Sequence, residues 1–117
     1  QWAGVAALRE AGGEVVRFRR ILNERRRAMI TGLRQIGLGV GFEPTGAFYV
    51  LANARRFTQK SFDFAFEILE KAHVGVTPGI DFGANAEGYL RFSYANSLER
   101  ILDGVRRLGT FLGSLGR

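Results

Sequence analysis

The sequence predicts an α+β fold: a small three-stranded sheet with helices packed on one face, preceded by a long linking helix. Three observations carry that expectation. Apolar residues recur at helical spacing over residues 15–36 and again over 98–115. Runs rich in aromatic and β-branched residues at 47–51, 74–76 and 89–95 read as strands. The resulting order is helix, long helix, strand, helix, strand, strand, helix, which segregates the helices to one side of the sheet and leaves the other side uncovered.

Residues 1–11 read as the end of a helix, stopped by Gly12-Gly13. Gln1 and Trp2 enter it without a methionine or a capping residue, so the chain is expected to be a piece of a larger protein. Glu14 then opens the long helix, with Val15, Phe18, Ile21, Leu22, Met29, Leu33 and Ile36 on its apolar stripe and Gly37 as its C-terminal stop. Arg25 and Arg26 interrupt the stripe. Arginines there bury their stems and require an acidic partner or an interface rim opposite.

The glycines of GLGVGF, residues 37–42, invite comparison with a dinucleotide fingerprint. They follow a helix where a strand is required, and Phe42 stands in place of the third glycine, so the stretch reads as a flexible connector. Pro44-Thr45-Gly46 is a turn into the first strand, and residues 53–59 are a polar connector. Ser61 is placed to cap a helix over 62–72 whose face carries Phe62, Ala65, Phe66 and Leu69, read as core. Val74 and Val76 form a short strand ended by Pro78-Gly79, where proline cannot donate to a ladder and glycine accepts unusual backbone angles. Gly83 and Gly88 are further pivots of the loop that follows. Asn96 with Glu99 resembles a capping box for the last helix, whose stripe of Leu98, Ile101, Leu102, Val105, Leu108, Leu112 and Leu115 is expected to lie on the sheet.

Period-two alternation in the last strand sets Leu90, Phe92 and Tyr94 on one face and Tyr89, Arg91, Ser93 and Ala95 on the other. Arg91 therefore projects from the uncovered side, as a solvated charge or as the wall of a cleft. His73 reads as a helix-end residue near the negative pole of the helix dipole.

Composition removes several classes of function. The chain has no cysteine and one histidine among its 117 residues, which excludes a disulfide framework, a thiolate metal site and any site needing two imidazoles; no metal site is expected. No apolar run approaches the roughly 20 residues that a bilayer span needs, so no membrane partner is expected and a cytoplasmic location is. The net charge of +6 is concentrated: residues 1–37 hold eight arginines against three glutamates. Such a helix can lie on phosphates or pack against an acidic domain; the second reading is preferred, and no nucleic-acid partner is expected.

Several motifs, in one order, resemble the fold-type I pyridoxal-phosphate-dependent aminotransferases of class I/II. Pro44-x-Gly46-Ala47-Phe48-Tyr49 is similar to that family's P-x-G-A-F-Y strand, and Val76-x-Pro78-Gly79-x-x-Phe82-Gly83 to its V-x-P-G-x-x-F-G loop. Tyr89-Leu90-Arg91-Phe92-Ser93-Tyr94-Ala95 resembles its strand ending in R-x-S-x-A. Gln1 with the Ala-Ala-Leu run resembles the helix leaving the large domain, and Arg25-Arg26 the arginine pair of the linking helix. The resemblance implies the C-terminal small domain: residues 1–13 ending a large-domain helix, 14–37 the interdomain helix and 38–117 the small domain.

It also implies that Arg91 grips the α-carboxylate of an amino-acid substrate, through a planar fork of donors that matches a carboxylate's two oxygens. Phe48, Pro78, Gly79 and Phe82 are possible lining of the substrate channel, with core packing the alternative for the two aromatics. The longer enzyme would move an amino group between an amino acid and a 2-oxo acid with pyridoxal 5'-phosphate, and would be a homodimer. Lys60 and Lys71 match no cofactor-lysine motif, so this chain is expected to carry no catalytic residue, to be inactive alone and not to hold the cofactor. A β-lyase or synthase of the same fold, or the ligand-sensing domain of a transcriptional regulator, would show nearly the same pattern.

Overall fold

Two helices open the chain. In the computed structural model, which describes all 117 residues, α1 spans Trp2–Glu10 and α2 spans Gly12–Gln35. The break falls at Ala11 (φ −95°, ψ 16°), not at the glycines expected to stop the helix. Gly12 and Gly13 occupy the first turn of α2, where the Val15 N–H already bonds Ala11 O at 3.1 Å and continues the ladder past them. Nothing in α1 is buried, and Trp2, Leu8, Val15, Val16 and Phe18 stand exposed along this arm. Burial in α2 begins at its second half with Met29, Ile30 and Leu33.

The end of α2 shows why Gly37 is there. Its φ is +97°, the Leu38 N–H reaches back to Leu33 O (3.0 Å) and the Gly37 N–H to Arg34 O (3.2 Å), a Schellman closure that only a residue free of a Cβ enters cheaply. The following glycines are not the flexible connector expected. Leu38 and Val40 are buried, and Gly39 exchanges two backbone hydrogen bonds with Asn53 (3.0 and 2.7 Å), so the segment adds a bridge to the sheet edge. Of the two arginines that interrupt the stripe, the largely covered Arg26 has an acidic partner, Glu43, at 4.0 Å, a carboxylate held more closely by Arg34 at 2.8 Å; Arg25 pairs with no carboxylate.

The remaining elements are β1 (Tyr49–Asn53), α3 (Ser61–Ala72), β2 (Thr77–Pro78), two short 3-10 turns (Gly79–Phe82 and Ala84–Ala86), β3 (Tyr89–Ser93) and α4 (Leu98–Ser114). The sheet is antiparallel in the order β1-β3-β2, so the last strand lies in the middle. Val50, Ala52, Leu90 and Phe92 point to the helices and join Leu33, Ile68, Leu108 and Leu112 in one core. Tyr94 completes this face and pins the turn into β1: its N–H bonds Phe48 O (2.7 Å) and its hydroxyl bonds Ala47 O (3.2 Å). Burial raises the pKa of that hydroxyl above the ordinary tyrosine value, against a lowering by Arg26.

Several local expectations are corrected. Strand β2 is Thr77–Pro78, beyond the valines expected to form it: Val74 and Val76 pack against the core from an irregular segment, and Pro78, expected to end the strand, lies in it opposite Leu90. Ser61 does not cap α3; it lies inside the first turn, fully buried, and Lys60 precedes the helix without a side-chain cap. The buried face of α3 is Ser61, Phe64, Ala65, Ile68 and Ala72, so Phe62, Phe66 and Leu69 are half exposed instead of core, with the two phenylalanine rings 5.0 Å apart. Ser97, not Asn96, caps α4, its hydroxyl accepting the Arg100 N–H at 3.2 Å. Helix α4 packs on α2 and α3, and not chiefly on the sheet as expected, through Ile101, Leu108, Phe111 and Leu112, while Leu102 of the expected stripe faces out. His73 ends α3 in the left-handed conformation (φ 55°), and its carbonyl accepts from Arg107 (3.1 Å).

Candidate functional site

Arg91 rises from the middle strand on the face that no helix covers. The register places Leu51 of β1 and Thr77 of β2 opposite it, while its neighbours Leu90 and Phe92 are buried on the helix side. Two rings flank the guanidinium. Tyr49, diagonal to Arg91 across the β1–β3 ladder, has its ring centre 5.0 Å from the guanidinium carbon, and Phe82, delivered by the loop between β2 and β3, lies at 5.1 Å. Both distances are within reach of cation–π attraction.

The charge itself is uncompensated. No hydrogen bond or ion pair of the structure uses the Arg91 side chain, and its Nε is buried without a partner. Other arginines are engaged differently: Arg17, Arg26, Arg34, Arg106 and Arg107 each meet a carboxylate. Arg55 lies over Tyr89 (4.9 Å) and donates twice to Glu87 O (3.2 and 3.1 Å). A guanidinium held between rings with its donors free is prepared for an anion with two oxygens in one plane.

Of the residues singled out beforehand, Phe82 meets Arg91 directly. Phe48 does not; its half-exposed ring packs edge-on against Tyr49, with centres 5.6 Å apart, and borders the site through that contact. Pro78 pairs with Leu90 and turns to the covered face, so it lines the core and not the Arg91 surface. Gly79 contributes backbone alone. Its conformation is open to any residue, and what demands glycine is crowding: a Cβ there would stand 2.1 Å from Ala86 O and 2.6 Å from Tyr89 O. Tyr49, Leu51 and Thr77 were missed, although the period-two rule that places Arg91 also places residues 49 and 51 on one face of their own strand.

Neither lysine is paired with a group of this surface. Lys60 immediately precedes α3, and Lys71, in its last turn, pairs with Glu67 at 3.4 Å. No group of three or more His, Cys, Asp or Glu side chains is disposed to hold a metal ion, and no helix is long and apolar enough to cross a membrane.

Comparison with known proteins agrees with this geometry. The family described as aminotransferase class I and II matches residues 1–108. The aspartate aminotransferase of Pyrococcus horikoshii is 40% identical over 111 residues, covering 92% of this chain and 28% of that protein. An LL-diaminopimelate aminotransferase of Moorella thermoacetica is 37% identical over 116 residues, or 98% of this chain and 29% of its own length. Among solved structures, the aromatic aminotransferase of Pyrococcus horikoshii superposes with a TM-score of 0.87 at 30% identity, covering 92% of this chain and 28% of that one. A second Pyrococcus structure gives 0.93 at 31% identity, covering 98% and 30%. The chain thus spans less than a third of the length of these relatives. A match over nearly every residue, in sequence and in backbone alike, means that this chain belongs to the class I and II aminotransferase family.

Proposed function

We propose that this chain is the C-terminal small domain of a pyridoxal-phosphate-dependent aminotransferase, and that Arg91 holds the α-carboxylate of its amino-acid and 2-oxo-acid substrates. The observation that carries the reading is the unpaired guanidinium between Tyr49 and Phe82 on an uncovered sheet face. Holding the carboxylate at both oxygens fixes the rotation of the substrate about its α-carbon, so the bond to be broken is presented in one orientation. Lysine would keep the charge and lose the fork.

The residues of this chain do not fit the cofactor itself. Lys60 immediately precedes α3 and Lys71, in its last turn, is paired with Glu67, and neither forms a bond to the Arg91 face. Cofactor binding and proton transfer belong, in this reading, to the rest of a longer chain, joined through α1 and the exposed first half of α2. Residues 38–117 then form the small domain, and the enzyme is a cytoplasmic homodimer. Domain closure would bring the Arg91 face onto the reacting centre.

The test is discrimination by the carboxylate. The full-length enzyme should use an amino acid far better than the matching amino-acid amide, which is uncharged at that group and presents a single oxygen, and Arg91→Lys should erase most of that preference. Equal use of acid and amide by the unaltered enzyme would overturn the reading.

A further inference from the structure

We propose that Glu87 and Ser61 are positioning residues for the substrate clamp, a latch that holds the loop carrying Phe82 against Arg91. This rests on Arg91 being the carboxylate-binding residue.

Loop 79–88 is fastened at its two ends and nowhere near its apex. At the far end, one Glu87 carboxylate oxygen accepts the Ser61 N–H (2.8 Å) and the Gly88 N–H (2.6 Å), so it ties the first turn of α3 to the entry of β3. At the near end, the buried Ser61 hydroxyl oxygen accepts the Ile80 N–H at 3.2 Å. One helix turn therefore holds both ends, and the tight approach of Gly79 to Ala86 O and Tyr89 O brings those ends together. Arg55 adds a third fastening, donating to the Glu87 carbonyl (3.2 and 3.1 Å).

Between these anchors the loop is held only by its own turns: Gly83 N–H to Ile80 O (3.1 Å), Ala86 N–H to Gly83 O (3.1 Å) and Glu87 N–H to Ala84 O (3.2 Å). Phe82 sits at the apex and is half exposed. A cation–π contact at an exposed site contributes less than the cost of ordering even one residue. Its placement over the guanidinium must accordingly come from the loop ends. The carboxylate of Glu87 takes no part in binding substrate; it acts through Phe82.

A double-mutant cycle in the full-length enzyme tests this. Glu87→Ala should raise KM for the amino acid by about two- to fivefold, the most that loss of the Phe82 contact can cost, with kcat changed by less than about twofold. Glu87→Gln keeps an acceptor oxygen of the same shape and should recover most of the loss. In a Phe82→Ala background the Glu87→Ala change should add nothing further. Independent, multiplying effects of Phe82→Ala and Glu87→Ala would overturn the latch, as would a loss confined to kcat. If Glu87→Ala does not accumulate as folded protein, Ser61→Ala, which keeps the backbone N–H bond to Glu87 and removes the hydroxyl that anchors Ile80, enters the same cycle with the same two criteria. Arg91→Lys separates the two levels. A KM unmoved by Arg91→Lys removes the clamp reading itself, whereas a KM raised by Arg91→Lys and indifferent to Glu87→Ala removes only the latch.

Discussion

The Arg91 guanidinium carbon stands 5.0 Å from the centre of the Tyr49 ring, and the two are diagonal neighbours, since Tyr49 pairs with Ser93 and Arg91 with Leu51. A direct cross-strand partner would compete for the space above the arginine. A diagonal one lies beside it, at the spacing aromatic and long side chains can bridge. With Phe82 on the loop side, the two rings border the guanidinium and no side chain of this chain uses its donors.

Arg91→Lys in the full-length enzyme is expected to lower kcat/KM for amino-acid substrates by about two orders of magnitude, since a charge-assisted bidentate contact is worth roughly 3 kcal/mol and each tenfold about 1.4. Steady-state kinetics with one amino acid and one 2-oxo acid decide it. Unchanged values would take Arg91 out of the site.

Tyr49→Leu keeps apolar cover and removes the ring quadrupole. A loss of about 0.5–1 kcal/mol, or roughly two- to fivefold in KM, is expected, with thermal stability nearly unaltered because the ring is more than a third exposed (37%). A KM equal to the unaltered enzyme's would reduce Tyr49 to a bystander.

Gly79→Ala should destabilise the fold by about 1–3 kcal/mol or more, because the added methyl meets two carbonyl oxygens that are backbone and cannot rotate away. Gly75→Ala, where nothing lies within 4 Å, is the control and should stay within about 0.5 kcal/mol. Denaturant midpoints that move equally for the two would show that the loop relaxes freely.

The legible parts of this fold were those governed by one periodicity. Alternation along residues 89–95 placed Arg91 opposite Leu90 and Phe92, and Gly37 marked the end of α2, because each follows from local backbone geometry. What stayed hidden depended on contacts distant in sequence. On α3, Phe62-Phe66-Leu69 and Phe64-Ile68 are both acceptable helical stripes; the sheet selects the second, and no local rule shows that. Ser61 looks like a cap, but its N–H is taken by Glu87, 26 residues on. The face on which Arg91 stands could be read from sequence, whereas Tyr49 beside it required the register of β1 against β3.

The two leucines of α4 that both fit its stripe provide a direct check on packing. Leu108 is fully buried in the core, on the α4 face that packs on α2 and α3, and Leu108→Ala should cost about 2–5 kcal/mol. Leu102 is half exposed, and Leu102→Ala should fall within about 0.5 kcal/mol. Similar losses from chemical denaturation would mean that α4 is rotated about its axis.

Glu87 also predicts how the fold responds to acid. Hydrogen bonds from the Ser61 side chain, then from the Ser61 and Gly88 backbone N–H groups, hold its carboxyl below the ordinary value of 4.5, against a smaller opposing effect of burial. With the folded value depressed, the unfolded chain binds the proton first as pH falls. The contribution of Glu87 is therefore complete above about pH 4.5 and is lost progressively below it, as pH falls through the folded value. Asp103, lowered chiefly by its hydrogen bond from Arg106, produces a similar slope starting from 3.8 and remains in any Glu87 variant. Glu87→Gln should thus be less stable at neutral pH and show a shallower decline between pH 5 and 3, the acid branch that remains being that of Asp103. Urea midpoints collected across this interval for both proteins decide it: parallel curves would mean that the carboxylate gains nothing from the helix it touches.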